Sequence, residues 1–411
     1  MVKFILYNLI KKYYLLLAFL LIIVLLLSIY YTRLEGFGNF NKNMASLPND
    51  KLQLTTRFKT PNFKKFTLVD TIKNVNNKKN ILIVDMPNIG GGTTFFINSI
   101  VSMYKNNINF IIVRNFNSLL HVYINDEIKL NTVFTEKDSI TFLNDINKDI
   151  IKIFVNHTAS HSTLFLEHLF TLNKNITTIT HDYLLFFTKP HIQYYELLDN
   201  TLQRNVIDVN KYDTIITQNK KNTELFNKFL PNLDKVIISP LPDYKNPDKK
   251  IITNTNNNNI VVGIIGHISD IKGSSNLKKI IIMSKKTKNI TIVIFGSTDF
   301  NYEHQNSYNG ISELNILITK YKPNVLIELS KSPETYSYTL TLYKIIGLPI
   351  LYISKDFPSV IEDRLSNYEK AYKYSNIADM FNDITSKSQN FLYTINPTLF
   401  FNDYWDKYFA V

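Results

Sequence analysis

The chain has 411 residues, 45% of them hydrophobic, enough for about two domains of ordinary size with full cores. Its 46 Lys and Arg against 34 Asp and Glu give a net charge of +12 that favours acidic partners, yet the lysines are scattered among Asn and Ile with no arginine stripe, so no nucleic-acid interface is expected. The absence of cysteine excludes disulfides, thiolate metal sites and cysteine nucleophiles.

Residues 1–12 form a short tail carrying Lys3, Lys11 and Lys12, and residues 13–32 follow without a single charge, mostly Leu, Ile, Val and Tyr. At about 1.5 Å per residue such a run spans a bilayer as one transmembrane helix. Ser28-Ile29-Tyr30-Tyr31 is a poor cleavage site, so the reading is an uncleaved anchor with the lipid bilayer as partner. The positive charges before it place the N-terminus in the cytosol and the bulk of this single-pass protein on the far side. Residues 33–77, polar and rich in Lys and Asn, read as a stem.

From residue 78 the pattern changes to short apolar runs alternating with helical stretches. Ile81–Val84, Phe110–Val113, Ile150–Val155, Thr177–Thr180, Thr214–Thr217 and Val236–Ser239 read as strands, with helices expected over Phe95–Tyr104 and Thr163–Leu172. A first domain over 78–245 gives way to a linker at 246–259, where the run Asn256–Asn259 lies. Alternation restarts in a second domain over 260–395: strands Ile260–Ile265, Ile290–Phe295, Val325–Leu329 and Leu348–Ile353, with helices Ser275–Ser284, Ile311–Lys320 and Tyr338–Ile346. The end, 396–411, is aromatic and expected to be helical over Pro397–Tyr408. The fold class expected is therefore α/β, two Rossmann-like domains facing a cleft, where ligands of such folds bind.

Several residues at strand ends could carry chemistry. Gly90-Gly91-Gly92 links a strand to a helix and either admits a ligand phosphate to the backbone or makes a tight turn; Phe95 replaces the third glycine of the dinucleotide fingerprint. His181 ends a strand beside Asp182 and is either a substrate-contacting group or structural. His157 and His161, four apart, resemble a metal-ligand pair on a helix face, but no Glu completes an H-E-x-x-H motif and no metal site is expected. Lys272, before Gly273, is either a point charge for a diphosphate or a solvated lysine. Glu334 sits between a strand and the helix that opens near Ser337, Tyr338 and Thr339; it either contacts substrate or caps that helix. No Asp-x-Asp pair offers a grip for a metal-bound diphosphate.

In this order and spacing, Gly90–Thr93, His181-Asp182, Gly266–Gly273 and Pro333–Ile350 together resemble the retaining, nucleotide-sugar-dependent glycosyltransferases of family four, which have the GT-B fold (glycosyl transferases group 1). The resemblance covers roughly residues 78–411 and includes the C-terminal helix that returns to the first domain. It implies transfer with no cofactor beyond the nucleotide-sugar donor, to a glycan, lipid or protein acceptor, and the missing Asp-x-Asp pair makes a metal-independent transfer the expectation. It assigns Glu334 and His181 to the transferred sugar, and Gly91, Gly92, Gly266, His267, Lys272, Gly273, Ser337, Tyr338 and Thr339 to donor binding. The chain departs from the family pattern at His267, where the family has arginine, and at Leu342, where it has a second glutamate. Two alternatives stand beside this reading: a catalytically degenerate member acting as a binding or scaffold module, and a nucleotide-sugar epimerase or hydrolase.

Overall fold

The computed structural model describes residues 72, 78–87, 91–125, 127–230, 235–245, 259–390 and 398–409. The expected anchor at 13–32, the stem apart from Ile72, Asn88–Gly90 and all of the linker but its last residue lie outside the described residues. Among the described residues no helix is long and apolar enough to cross a membrane. All of them belong to one compact unit, Asn62–Val411.

The first half is a sheet of eight strands. In chain order these are β1 (Lys79–Asp85), β2 (Ile108–Phe116), β3 (Leu119–Ile124), β4 (Glu127–Phe134), β5 (Ile150–Val155), β6 (Asn175–Ile179), β7 (Thr214–Thr217) and β8 (Val236–Ile238). Their spatial order is β4-β3-β2-β1-β5-β6-β7-β8. β1 pairs in parallel with β2 on one side and β5 on the other, so the winding reverses at β1. The helices α1 (Gly91–Tyr104), α2 (Glu136–Ile146), α3 (Thr163–Leu169), α4 (Tyr194–Leu198) and α5 (Lys220–Phe229) connect them. Ile81 and Ile83 join one apolar cluster, Leu82 and Val84 another, as the two-residue period of a strand buried on both faces requires.

The second half is an all-parallel sheet of β10 (Ile260–Ile268), β11 (Ile290–Thr298), β12 (Gln305–Asn306), β13 (Val325–Glu328), β14 (Ile350–Ile353) and β15 (Ala371–Tyr374). The order β12-β11-β10-β13-β14-β15 puts its reversal between β10 and β13. Helices α6 (Ser274–Thr287), α7 (Gly310–Tyr321), α8 (Tyr338–Ile346), α9 (Val360–Leu365), α10 (Ile377–Asn382) and α11 (Ile384–Lys387) cover it. In open sheets of this kind ligands bind beyond the carboxyl ends of the strands at the reversal.

Several elements differ from the sequence expectation. β2, β3 and β4 form an antiparallel meander at the edge of the first sheet, where no hairpin was expected. Its first turn is Asn117-Ser118, both with positive φ (49° and 64°), so the geometry of a tight hairpin is made without the Asn-Gly signal. The helix expected over Thr163–Leu172 stops at Leu169. The C-terminal stretch expected as one helix holds a strand, β16 (Thr398–Phe400), before α12 (Asp403–Phe409). β16 pairs antiparallel with β9 (Asp243–Lys245), a short strand just past β8.

α12 lies against the first half. Trp405 is fully buried among Phe96, Phe154 and Phe409, and its indole N–H donates to the Pro240 carbonyl at 2.8 Å. Tyr104 donates to Asp406 at 2.6 Å, and Lys152 donates to the Tyr408 carbonyl at 2.8 Å. Trp405→Ala removes both the ring and the hydrogen bond to Pro240. It is expected to destabilise the protein by about 3–5 kcal/mol, against about half of that for Trp405→Phe. Chemical denaturation followed by circular dichroism checks this, since Trp405 is the chain's single tryptophan and its fluorescence is lost with it.

Candidate functional site

The first half presents a polar network at the ends of β1, β5 and β6. Asp85, the last residue of β1, is ion-paired with Arg114 at 3.0 Å, both side chains 3% exposed. Its other oxygen accepts from the Asn156 amide at 2.7 Å. Asn156, just past β5, thereby turns its carbonyl oxygen to His181 Nε2, 2.7 Å away. An amide oxygen only accepts, so Nε2 carries a proton, and in the neutral imidazole that burial favours the lone pair is then on Nδ1. Burial, with His157 adding to it, pulls the His181 imidazole down to about 3, against the neighbouring Asp182. Burial likewise lowers His161 to about 4 and raises the Asp85 carboxyl, Arg114 opposing the latter.

His157 and His161 share no helix face, because the chain between β5 and α3 is a loop. His157 Nδ1 accepts from the Ala159 N–H at 3.0 Å, so its Nε2–H donates to Asp182 at 2.9 Å. His161 donates instead to the Asp85 carbonyl at 2.8 Å. His157 is committed to protein partners through both ring nitrogens and His161 through Nε2. Among the described residues no cluster of His, Asp and Glu has the arrangement of a metal site.

The second half contributes charge. Glu334 lies in the loop after β13, its side chain only 10% exposed, and Lys272 from the loop after β10 is ion-paired with it. Both Lys272 and the Ser330 hydroxyl donate to Oε1, Ser330 at 2.7 Å. Burial alone would raise the Glu334 carboxyl; the Lys272 charge, the two hydrogen bonds and His191 outweigh it and hold Glu334 below the usual carboxylate range, hence ionised. Gly273 follows Lys272 with φ +89° and packs against the Leu329 carbonyl, which a Cβ would strike. Only glycine brings the β10 loop this close to the end of β13.

The two halves touch directly here. The Thr335 hydroxyl donates to the His181 carbonyl at 2.5 Å, and the Asn222 amide of α5 donates to the Thr335 carbonyl. A Cβ on Gly92 would lie 2.8 Å from the Tyr338 ring, so the glycine turn of the first half admits an aromatic side chain of the second. Tyr338 is fixed by its hydroxyl on the Pro242 carbonyl at 3.0 Å and by ring contact with Phe95. Ser337, at the start of α8, has φ 66°. Arg364 of α9 donates to the carbonyls of Tyr336 and Ser337, each at 2.8 Å, and to Asp243 and the Thr341 hydroxyl, each at 2.7 Å. Its guanidinium lies 4.0 Å from the Tyr336 ring centroid.

Of the residues singled out from the sequence, Glu334, Lys272, Gly273, His181, Ser337, Tyr338 and Gly92 come together around this contact. Gly266 lies against Thr339. His267 is exposed and bonded through Nδ1 to Ser297 at 2.7 Å, and Gly91 has open space where a Cβ would sit. Leu342 packs on the apolar cluster beneath α8. Asp85, Arg114, Asn156, Ser330 and Arg364 were not anticipated; position at or just past a strand end was the signal for Asp85, Asn156 and Ser330, whereas Arg114 lies within β2.

Neither a family model nor a curated protein matches this chain. Solved structures do match. HepE from Anabaena, solved in complex with UDP and glucose, superposes with a TM-score of 0.50 at 13% identity, over 75% of this chain and 89% of that one. The fold is that of the GT-B glycosyltransferases. A sucrose-phosphate synthase from Thermosynechococcus elongatus (TM-score 0.49, 10% identity, 75% and 89% covered) and a glycosyltransferase from Rickettsia africae (0.47, 12%, 76% and 91%) also match.

The lowered histidines have a consequence for stability. Below an unfolded value of about 6.5, His181 and His161 take up protons in the unfolded chain but not in the folded one until pH approaches about 3 and about 4. Stability is therefore complete above about 6.5 and lost as pH falls from there towards the folded values, by up to about 1.4 kcal/mol per pH unit for each histidine. His181→Asn is expected to flatten this slope, as measured by urea denaturation at pH of about 7, 6 and 5.

Proposed function

We propose that this protein is a glycosyltransferase that moves a sugar from a nucleotide-sugar donor to a glycan, lipid or protein acceptor. The observation carrying the reading is the Lys272–Glu334 pair at the reversal of the second sheet, one hydrogen bond away from the strand end that bears His181. A GT-B fold with these groups at its meeting point supports it. Lys272 and the first N–H groups of α8 receive the donor diphosphate, Lys272 turning from Glu334 to do so. Glu334, ionised and acceptor-only, takes a sugar hydroxyl and stabilises the positive charge that develops as the anomeric C–O bond to the diphosphate breaks. Neutral His181 offers the sugar or the acceptor an imidazole with a fixed tautomer.

Within this reading the transfer is retaining and draws its positive charge from lysine and helix dipole, with no metal. Residues 13–32 hold the chain to a bilayer as a single pass, N-terminus in the cytosol and the folded part on the far side. Protease protection of the intact membrane protein tests that orientation.

The decisive measurement is release of nucleoside diphosphate from a panel of nucleotide sugars, alongside donor binding. Glu334→Gln is expected to lower turnover by about a hundredfold with little effect on donor affinity, and Lys272→Ala to weaken donor affinity by about tenfold or more. Absence of donor binding across the whole panel sinks the proposal. Addition of a chelator is expected to leave turnover unchanged. Because the family pattern that the chain resembles has arginine where this chain has His267, His267→Arg is expected to tighten donor binding by about tenfold, read by calorimetry.

Leu342 and His267 favour a second reading, a degenerate member kept as a binding module. That module keeps its biological role in the Glu334→Gln and Lys272→Ala variants. A hydrolase or epimerase on the same fold turns over donor with no acceptor present.

A further inference from the structure

Beneath Glu334 lies a second charged pair. Glu328 is the last residue of β13 and Lys355 lies two residues past β14, on strands whose register sets Glu328 beside Tyr352. Their side chains are 9% and 5% exposed and stand 3.7 Å apart. Glu328 Oε1 accepts from the Ser330 N–H at 2.7 Å, and Lys355 donates to the Ser330 carbonyl. The third polar group of Ser330, its hydroxyl, donates to Glu334 Oε1 at 2.7 Å. Every hydrogen-bonding group of Ser330 is thus committed, two of them to the buried pair and the third to Glu334.

We infer that Glu328 and Lys355 are positioning residues for Glu334, holding Ser330 so that its hydroxyl fixes Glu334 Oε1 and leaves Oε2 for the sugar. The inference rests on the glycosyltransferase reading. Stability alone does not account for the pair, because a buried ion pair is usually no more stabilising than an apolar pair of the same volume. Its place does: both groups sit at the carboxyl ends of adjacent parallel strands, under the loop that carries Glu334. Among the described residues Glu334 Oε2 accepts no hydrogen bond, while Oε1 accepts from both Ser330 and Lys272. When Lys272 turns to a diphosphate, Ser330 is the one of these two donors still holding the carboxylate. The buried pair then decides where Glu334 points at the moment charge develops.

The test uses the full-length protein with whichever donor the wild type turns over, comparing Glu328→Gln, Lys355→Met, Lys355→Arg, Ser330→Ala and the Glu328→Gln/Lys355→Met double variant. Misplacing Glu334 is expected to lower kcat about 10- to 100-fold in the first two and in Ser330→Ala. KM for donor is expected to stay within about threefold of wild type. The double variant is expected to be no slower than the slower single, since both act through Ser330, and Lys355→Arg to recover most of the lost rate. Unchanged kcat in folded Glu328→Gln and Lys355→Met, or a loss that merely follows the folded fraction, overturns the inference while leaving the glycosyltransferase reading intact. Should the charge variants fail to fold, Ser330→Ala, which removes one hydroxyl, decides alone by the same criterion. A wild type with no turnover on any donor overturns both.

Discussion

One guanidinium holds the site's geometry. Arg364 binds the carbonyls of Tyr336 and Ser337, the Thr341 hydroxyl and the Asp243 carboxylate at once, with its face on the Tyr336 ring. A serine in the left-handed region costs about 1–3 kcal/mol and persists only when its surroundings insist on it. Here they do: the carbonyls of Tyr336 and Ser337 are drawn to the same cation, and the Ser337 carbonyl also accepts from the Leu340 N–H of α8 at 3.0 Å. Asp243, on the segment between the halves, also accepts from Tyr336 and Thr341, so the helix opening and the chain crossover are fixed by the same group.

The halves divide their chemical work. The first offers a neutral, directional network in which Arg114, Asp85 and Asn156 end by fixing one proton on His181. The second offers paired charges, Lys272 with Glu334 and Lys355 with Glu328, stacked along the same strand ends. Under the proposed function, directional groups suit a sugar hydroxyl, whose position matters most, and charges suit a diphosphate and the cation left when it departs. The contact at Thr335 brings the two kinds together without mixing their hydrogen bonds.

Much of the framework was legible in the sequence, because a strand buried on both faces must be written as a continuous apolar run; Ile81–Val84, Ile260–Ile265 and Val325–Leu329 all fall inside strands or at their ends. The meander was not, since Asn117-Ser118 bends without glycine and β4 mixes Glu, Lys and Asn with its apolar residues. The C-terminal aromatics suggested one helix, yet Thr398–Phe400 is drawn into pairing with Asp243–Lys245, a tertiary demand that no local pattern announces. Glu334 and Lys272 were visible as charged residues in strand-end loops, but their direct pairing depends on how Gly273 packs against Leu329. Asn156 was hidden by composition, for in a chain so rich in asparagine one more carries no signal. The four-residue spacing of His157 and His161 misled, because periodicity has meaning only once a helix exists to express it.

The return of α12 to the first sheet bears on the order in which the chain takes shape. Trp405 and Phe409 complete the same apolar cluster as Ile81, Phe96 and Phe110. A protein synthesised from its N-terminus therefore brings out its first sheet long before the aromatic residues that close one face of that sheet. Until they arrive, α1 covers that face without the aromatic side chains of α12 while the whole second sheet is being made. The half that starts first is the one that finishes last.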